Sequence, residues 1–373
     1  MGKVIGIPRF AGRSDRRHVL VTSRFSRTIP VSPLRGIADR LLCRLVLAGC
    51  VLLPALATGA ELTPFQTFNQ SPLVQIFGLP AAGPATVAPA GSLVVSLVQD
   101  VANNFAEDGN AREQIHLDGE SYRTTLALRY GLAKRVEIGL ELPLVGNGGG
   151  VFDNFIEGWH DFFGLPDGGR TQVPRNRLVY SYAKDGRTRL LLNDSGYGLG
   201  DLRLTGGWQL YRHDGDGSDQ AVALRGSLKF PTGNSNQLQG SGSTDLALWL
   251  SGSSTYRLPP AWGDFGLFAA AGAMVMSRGD VLGDQQEPLV GFGTLGFGWS
   301  PLSWLALKVQ LAGHTPFYGD SDLRELSHSA LQGVFGGTIA FSPTTTLDIG
   351  VAEDLAVNTT PDVTLNVALS RRF

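Results

Sequence analysis

Gly131-Leu132-Ala133-Lys134-Arg135-Val136-Glu137-Ile138-Gly139-Leu140-Glu141-Leu142 is the stretch on which the fold turns. A short glycine-led link feeds a run with apolar side chains at even positions and Glu or Gly at odd ones. Successive side chains of a strand point to opposite faces, so this strand has one apolar face and one carrying two carboxylates. The same alternation returns in Val222–Phe230, Leu305–Leu311, Leu347–Val351 and Val363–Leu369. A soluble sandwich would alternate too, and the links between strands decide between the two.

Strands are expected near 91–101, 120–130, 134–145, 199–212, 220–230, 244–257, 264–277, 289–300, 303–314, 329–341, 345–353 and 363–373. Links such as Asp214–Gly217, Pro259–Trp262, Pro301-Leu302 and Pro343-Thr344 are tight, whereas 102–119, 146–198, 231–243, 278–288, 315–328 and 354–362 are longer and polar. Short periplasmic turns alternating with longer outer loops are the rule for membrane barrels. The expected fold class is therefore all-β, a single antiparallel transmembrane β-barrel of about twelve strands, with a short helix in one long extracellular loop. An even strand count puts both termini in the periplasm.

Composition agrees. Charged residues are only 17% of the 373 while glycine reaches 49, and soluble domains average near 25% charged. After the first sixty residues no run approaches the roughly 18 apolar residues of a spanning helix. Residues 1–60 read as a signal peptide: Lys3 and nine arginines, the apolar run Leu45–Ala57, then Thr58-Gly59-Ala60. The basic leader is long for such a signal, which points to a true start further downstream. Leu47-Ala48-Gly49-Cys50 looks like a lipoprotein box, but the apolar run continues past Cys50.

Removing 1–60 takes ten of 31 basic and two of 33 acidic residues, so the remainder carries a net charge of −10. Both cysteines, Cys43 and Cys50, leave with it. The exported chain then has no thiol or disulfide chemistry, and its acidity argues against a nucleic-acid partner. Residues 61–90, rich in Pro, Ala and Gly, are expected to be a periplasmic lead-in segment or plug, with 91–373 forming the barrel.

Inward parity collects the charge: Arg123, Arg129, Glu137, Glu141, Arg203, Arg225, Lys229, Asp245, Lys308 and Asp348. Arg or Lys facing lipid at mid-depth costs about 2–4 kcal/mol, so these side chains belong to the lumen. They either line a watery path and set its selectivity, or pair across strands and close the bore. In the longest loop Phe152, Phe155, Trp159, Phe162 and Phe163 recur at helical spacing, a candidate lid or constriction. Segment 177–193 reads as a hairpin beyond the membrane.

No catalytic residue, metal site or cofactor is expected. Outer-wall Ser and His can make a barrel a lipid-modifying enzyme, but Ser327-His328 point opposite ways if extended, and His160-Asp161 is only an adjacent pair. No Gly-x-Ser-x-Gly elbow occurs in a strand-to-helix setting.

The chain end, Val367-Ala368-Leu369-Ser370-Arg371-Arg372-Phe373, resembles the closing strand of outer-membrane barrels. Those end on an aromatic residue read by the barrel assembly machinery, and the resemblance gives Phe373 that role. Lys229-Phe230-Pro231-Thr232-Gly233 resembles a strand-to-loop corner of several bacterial barrel families, including some linked to uptake or export of aromatic compounds. The 61–373 span is similar to an uncharacterised proteobacterial outer-membrane barrel family. The expected role is selective or facilitated passage of a small, unidentified solute, apolar or aromatic compounds among the candidates, by a Gram-negative outer-membrane protein in contact with lipid. The alternatives are a closed barrel with a surface-loop binding or structural role, and a lipid-modifying enzyme.

Overall fold

The computed structural model describes residues 61–150, 177–259, 261–355 and 359–373. Residues 1–60, expected as a signal peptide, and the expected helix with Phe152, Phe155, Trp159, Phe162 and Phe163 lie outside the described residues.

The strands are β1 (Leu93–Gly109), β2 (Glu113–Ala133), β3 (Val136–Gly148), β4 (Val179–Lys184), β5 (Arg187–Leu192), β6 (Gly196–Leu199), β7 (Arg203–Asp214) and β8 (Ser218–Lys229). They continue as β9 (Asp245–Arg257), β10 (Asp264–Met276), β11 (Leu289–Leu302), β12 (Leu305–His314), β13 (Ala330–Ser342), β14 (Thr345–Asp354) and β15 (Val363–Arg372). Twelve make the wall in the order β1-β2-β3-β7-β8-β9-β10-β11-β12-β13-β14-β15, every neighbouring pair antiparallel. β15 pairs back onto β1 from Val94↔Arg372 to Asn103↔Val363, so the ring has no open edge. Closure removes the unpaired backbone groups that lipid cannot hydrate. Phe373 completes the seam: its N–H donates to the Leu93 carbonyl at 2.8 Å and its carbonyl accepts from the Leu93 N–H at 3.2 Å.

The decisive stretch behaves as its alternation requires. Ile138 is 50% exposed on the outer face and Glu137 is 3% exposed inside. Leu248, Leu295, Phe335, Ile349 and mid-strand Trp208 share the outer face, with Tyr256, Trp299 and Trp304 near strand ends. Aromatic girdles at both rims are characteristic of membrane barrels. One end of the barrel carries the turns at 134–135, 215–217, 303–304 and 343–344, the link from β9 to β10 and both ends of the wall; the other carries the long loops.

The stretch 102–119 is a correction. It is not a loop: β1 and β2 run through it together to a turn at 110–112. Its polar residues suggested a loop, yet Asn103, Asn104, Asp118 and Glu120 are buried inside, while Ile115 and Leu117 enter a hydrophobic cluster. Beyond the level where β2 leaves β3, β4 takes over its edge, pairing Glu113↔Lys184 through Asp118↔Val179. The β4–β5 hairpin falls where 177–193 was expected, turning at Asp185-Gly186. β6, unforeseen, pairs with β3 at 144–147.

Eight strands enclose a bore that their own side chains fill, and sixteen or more leave a water channel. Twelve leave a gap that needs something else. Residues 61–90 occupy it.

Candidate functional site

Residues 61–90 form a strap without regular secondary structure that climbs the lumen and returns. The ascending limb starts at Leu62, beside Gly266 of β10 and Gly298 of β11. The Lys308 ammonium donates to the Thr63 carbonyl at 3.0 Å and lies 4.2 Å from the Phe65 ring centre, and the Phe65 N–H donates to Gln310 Oε1 at 2.9 Å. Higher up, Thr67 donates to Asp100 at 2.8 Å, and the Asn69 amide meets His314 Nε2 at 2.9 Å.

The tip, 71–79, packs into a cap at the long-loop end. Leu73, Val74, Ile76 and Phe77 join Ile115, Leu117, Tyr180, Tyr182, Phe317 and Tyr318 in one buried cluster. Phe77 stacks on Phe317 with ring centres 4.9 Å apart, and the Tyr318 hydroxyl donates to the Leu73 carbonyl at 3.0 Å. Tyr318 belongs to the 315–328 loop, so that loop folds inward onto the strap.

The descending limb is held almost wholly by wall side chains. The Gly78 N–H donates to Asp245 at 2.7 Å, and Trp249 Nε1 and Ser251 Oγ both donate to the Ala82 carbonyl at 2.8 Å. Arg225 donates to the carbonyls of Pro84 at 2.7 Å and Thr86 at 3.1 Å. Gln209 donates to the Ala85 carbonyl and accepts from the Val87 N–H, both at 2.9 Å, and the Ala88 N–H donates to Glu137 at 2.6 Å. Buried backbone groups must be paired somewhere; here the wall's side chains replace a strand ladder.

The strap leaves the lumen beside Gly131, where a Cβ would run into the carbonyl oxygens of Pro89 and Ala88. A backbone pressing this closely leaves room for glycine alone. Gly131→Ala is expected to destabilise the barrel by about 1–3 kcal/mol through overpacking, read as a lower urea midpoint with the slope unchanged.

All ten charged residues singled out from parity lie on the wall's inner face, and nine of them form ion pairs. Glu137 accepts from Arg225 at 2.6 Å and Arg129 at 3.2 Å; Arg203 pairs with Glu141 at 3.0 Å. Lys229 sits between Asp201 at 2.5 Å and Asp245 at 3.3 Å and touches the Ser241 hydroxyl at 2.6 Å. Lys308 pairs with Asp348 at 2.6 Å. Arg123 donates to the Gln75 carbonyl at 3.2 Å and has no ion pair among the described residues. Sequence reasoning missed Asp100, Asp201, Gln209, Trp249 and Gln310; four of these share the inward parity of charged neighbours, and Asp201 lies just before β7.

Below the cap a cavity of about 240 Å³ remains between the strap's limbs and the wall. Its lining runs from Pro343, Thr344 and Arg372 at the short-turn end up to Arg123, Arg203 and Phe68.

Outside the wall, the Lys184 ammonium ties the β4 hairpin to Glu113 at 3.1 Å and Asp320 at 2.9 Å. Burial opposes its charge, but these two carboxylates carry its pKa above the ordinary lysine value. For Glu113, burial works upward and is outweighed by hydrogen bonds from Ser321, Lys184 and the Asp322 backbone, leaving its pKa below the usual range. A raised lysine stabilises until pH climbs past its unfolded value and through the folded one; a lowered carboxyl stabilises until pH falls past its unfolded value and through the folded one. Protection of the 179–192 amides, corrected for intrinsic exchange, is therefore expected to stay level between about pH 5 and 10 and to fall outside that window. A steady decline between pH 5 and 8 would contradict it.

His314 is buried edge-on against Phe317 with ring centres 5.0 Å apart, turned away from lipid. Ser327 and His328 lie side by side at a single helical turn (Arg324–Ser327), their Oγ and Nδ1 3.3 Å apart; His160 lies outside the described residues. Among the described residues no three His, Cys, Asp or Glu side chains gather to hold a metal ion.

A closed antiparallel ring with an apolar exterior, rim aromatics and a charged, occupied lumen defines an outer-membrane-type β-barrel. Residues 41–373 match the family described as "Protein of unknown function (DUF3187)", and the chain belongs to that family. No curated protein matches the chain. Similar solved structures include the COG4313 outer membrane channel from Pseudomonas putida F1, at 15% identity and TM-score 0.49 over 77% of this chain and 97% of that one. The NanC porin has 9% identity and TM-score 0.38 over 75% and 98%. The CymD monoaromatic hydrocarbon channel has 11% identity and TM-score 0.32 over 83% and 94%.

Proposed function

We propose that this barrel passes a small solute across the outer membrane, with the 61–90 strap as its gate and the lumen charges setting selectivity. One observation carries this reading: the strap blocks the bore without belonging to the wall. It contributes a single isolated bridge, Ala90↔Gly131, to the sheet. Apart from the Asn69 amide on the Thr359 carbonyl of a loop, its other ties are to side chains, so it can shift while the strand ladder stays whole. The cavity beneath the cap gives a solute a compartment partway across. The short-turn end, with both ends of the wall, faces the periplasm, and Phe373 carries the signal for the assembly machinery. Apolar or aromatic compounds are the solute class suggested by the resemblance at 229–233.

The test is single-channel recording of refolded 61–373 in planar bilayers, together with swelling of liposomes in small solutes. Brief openings with measurable uptake are expected. A folded, heat-modifiable barrel that neither conducts nor admits solutes would overturn the reading. The hydrophobic cap over the strap tip favours a second reading, a closed barrel acting through its outer loops, and that result would select it.

A further inference from the structure

The cavity's inner end has a chemistry that the strap does not use up. Arg123 and Arg203 approach the same ring, Phe68, with guanidinium carbons 5.3 and 5.8 Å from its centre. Both side chains are over nine-tenths buried and both line the cavity. Arg203 spends its terminal nitrogens on Glu141 and the Leu79 carbonyl, while its buried Nε has no hydrogen-bond partner among the described residues. Among the described residues Arg123 makes one hydrogen bond, to the neutral Gln75 carbonyl. Glu141, which also lines the cavity, is the carboxylate that Arg203 holds at 3.0 Å, while Asp100, another, accepts from Thr67 and Asn366, each at 2.8 Å.

A buried guanidinium without an ion pair, as at Arg123, is costly, and a planar oxyanion satisfies it better than water does. The rest of the lining mixes apolar Phe68, Val98 and Trp249 with polar Thr125, Thr205 and Ser227. We propose that the cavity binds a small organic carboxylate, its charged group on Arg123 and its apolar body against Phe68 and Val98. A volume of about 240 Å³ falls near the lower limit of known ligand pockets, about 300 Å³, and restricts the occupant to roughly one ring. The proposal rests on reading the lumen as a solute path. Binding in detergent requires no passage, so failure of the site and failure of transport are separable.

The experiment is equilibrium dialysis of radiolabelled benzoate against refolded 61–373 in detergent, with benzyl alcohol, benzylamine and inorganic phosphate as competitors. One saturable site is expected, competed by neither the alcohol nor the amine and only weakly by phosphate. Arg123→Gln should weaken it about tenfold, the loss of one charge-assisted contact. Thr125→Phe, which fills the cavity and leaves both arginines, should abolish it. Absence of saturable binding to the wild-type chain would overturn the proposal. So would equal competition by benzyl alcohol, or by phosphate, or unchanged affinity in a heat-modifiable Arg123→Gln or Thr125→Phe barrel.

Discussion

Deleting residues 61–88 is expected to raise single-channel conductance by about an order of magnitude, because a twelve-strand bore is too wide for its own side chains to fill. The deletion removes no strand. It leaves Arg225 and Arg129 on Glu137, Arg203 on Glu141 and Lys308 on Asp348, so the wall keeps its internal charge balance. What it removes is the column of backbone that those side chains hold, together with the apolar tip under Phe317 and Tyr318. The shortened barrel should still be heat-modifiable on a gel while conducting in large, steady steps. If it folds and stays as quiet as the full chain, the inward-folded outer loops close the bore by themselves.

Glu137→Gln should have the largest effect of any single substitution. This 3%-exposed carboxylate holds two arginines, Arg129 and Arg225, and the Ala88 N–H of the strap. A neutral amide leaves two guanidinium groups facing each other without a counter-charge, and breaking a buried ion pair costs about 3–5 kcal/mol. Two readouts should move together: a lower urea midpoint, and more frequent openings as the descending limb loses its lowest anchor. Arg129→Gln, with a partly exposed side chain, should cost much less. Equal effects from the two substitutions would mean that Glu137 does not organise the cluster.

Much of the wall was legible in the sequence because period-two alternation and glycine-led turns are local. Val136–Leu142 already assigns Glu137 and Glu141 to the inside and Ile138 to lipid. The inward charges followed from the cost of a charge in lipid. Their partners were harder: Lys229 meets Asp201 across a loop whose course no local pattern records. The course of the strap was beyond reach for the same reason. Its Pro-rich run predicts extended backbone, but which limb meets Gln310 and which meets Gln209 depends on contacts over a hundred residues apart. Polarity misled at 102–119, since inside a barrel polar side chains face an interior of hydrogen-bonding partners. There, Asn104 reaches Ser121 and Tyr180.

A disulfide puts the gating claim to the most direct test. The strap's descending limb is continuous with β1, while its ascending limb is held only through side chains and packing. A Cβ at Gly266 would sit 3.0 Å from the Leu62 Cβ, near the roughly 3.5–4.5 Å that a disulfide spans, and residues 61–373 contain no other cysteine. Leu62→Cys with Gly266→Cys therefore pins the free limb to the wall, and single-channel recording before and after reduction reads the result. Openings that are absent in the oxidised barrel and return on reduction are expected. Identical behaviour in the two states, whether open or silent, would contradict the strap's role as the gate.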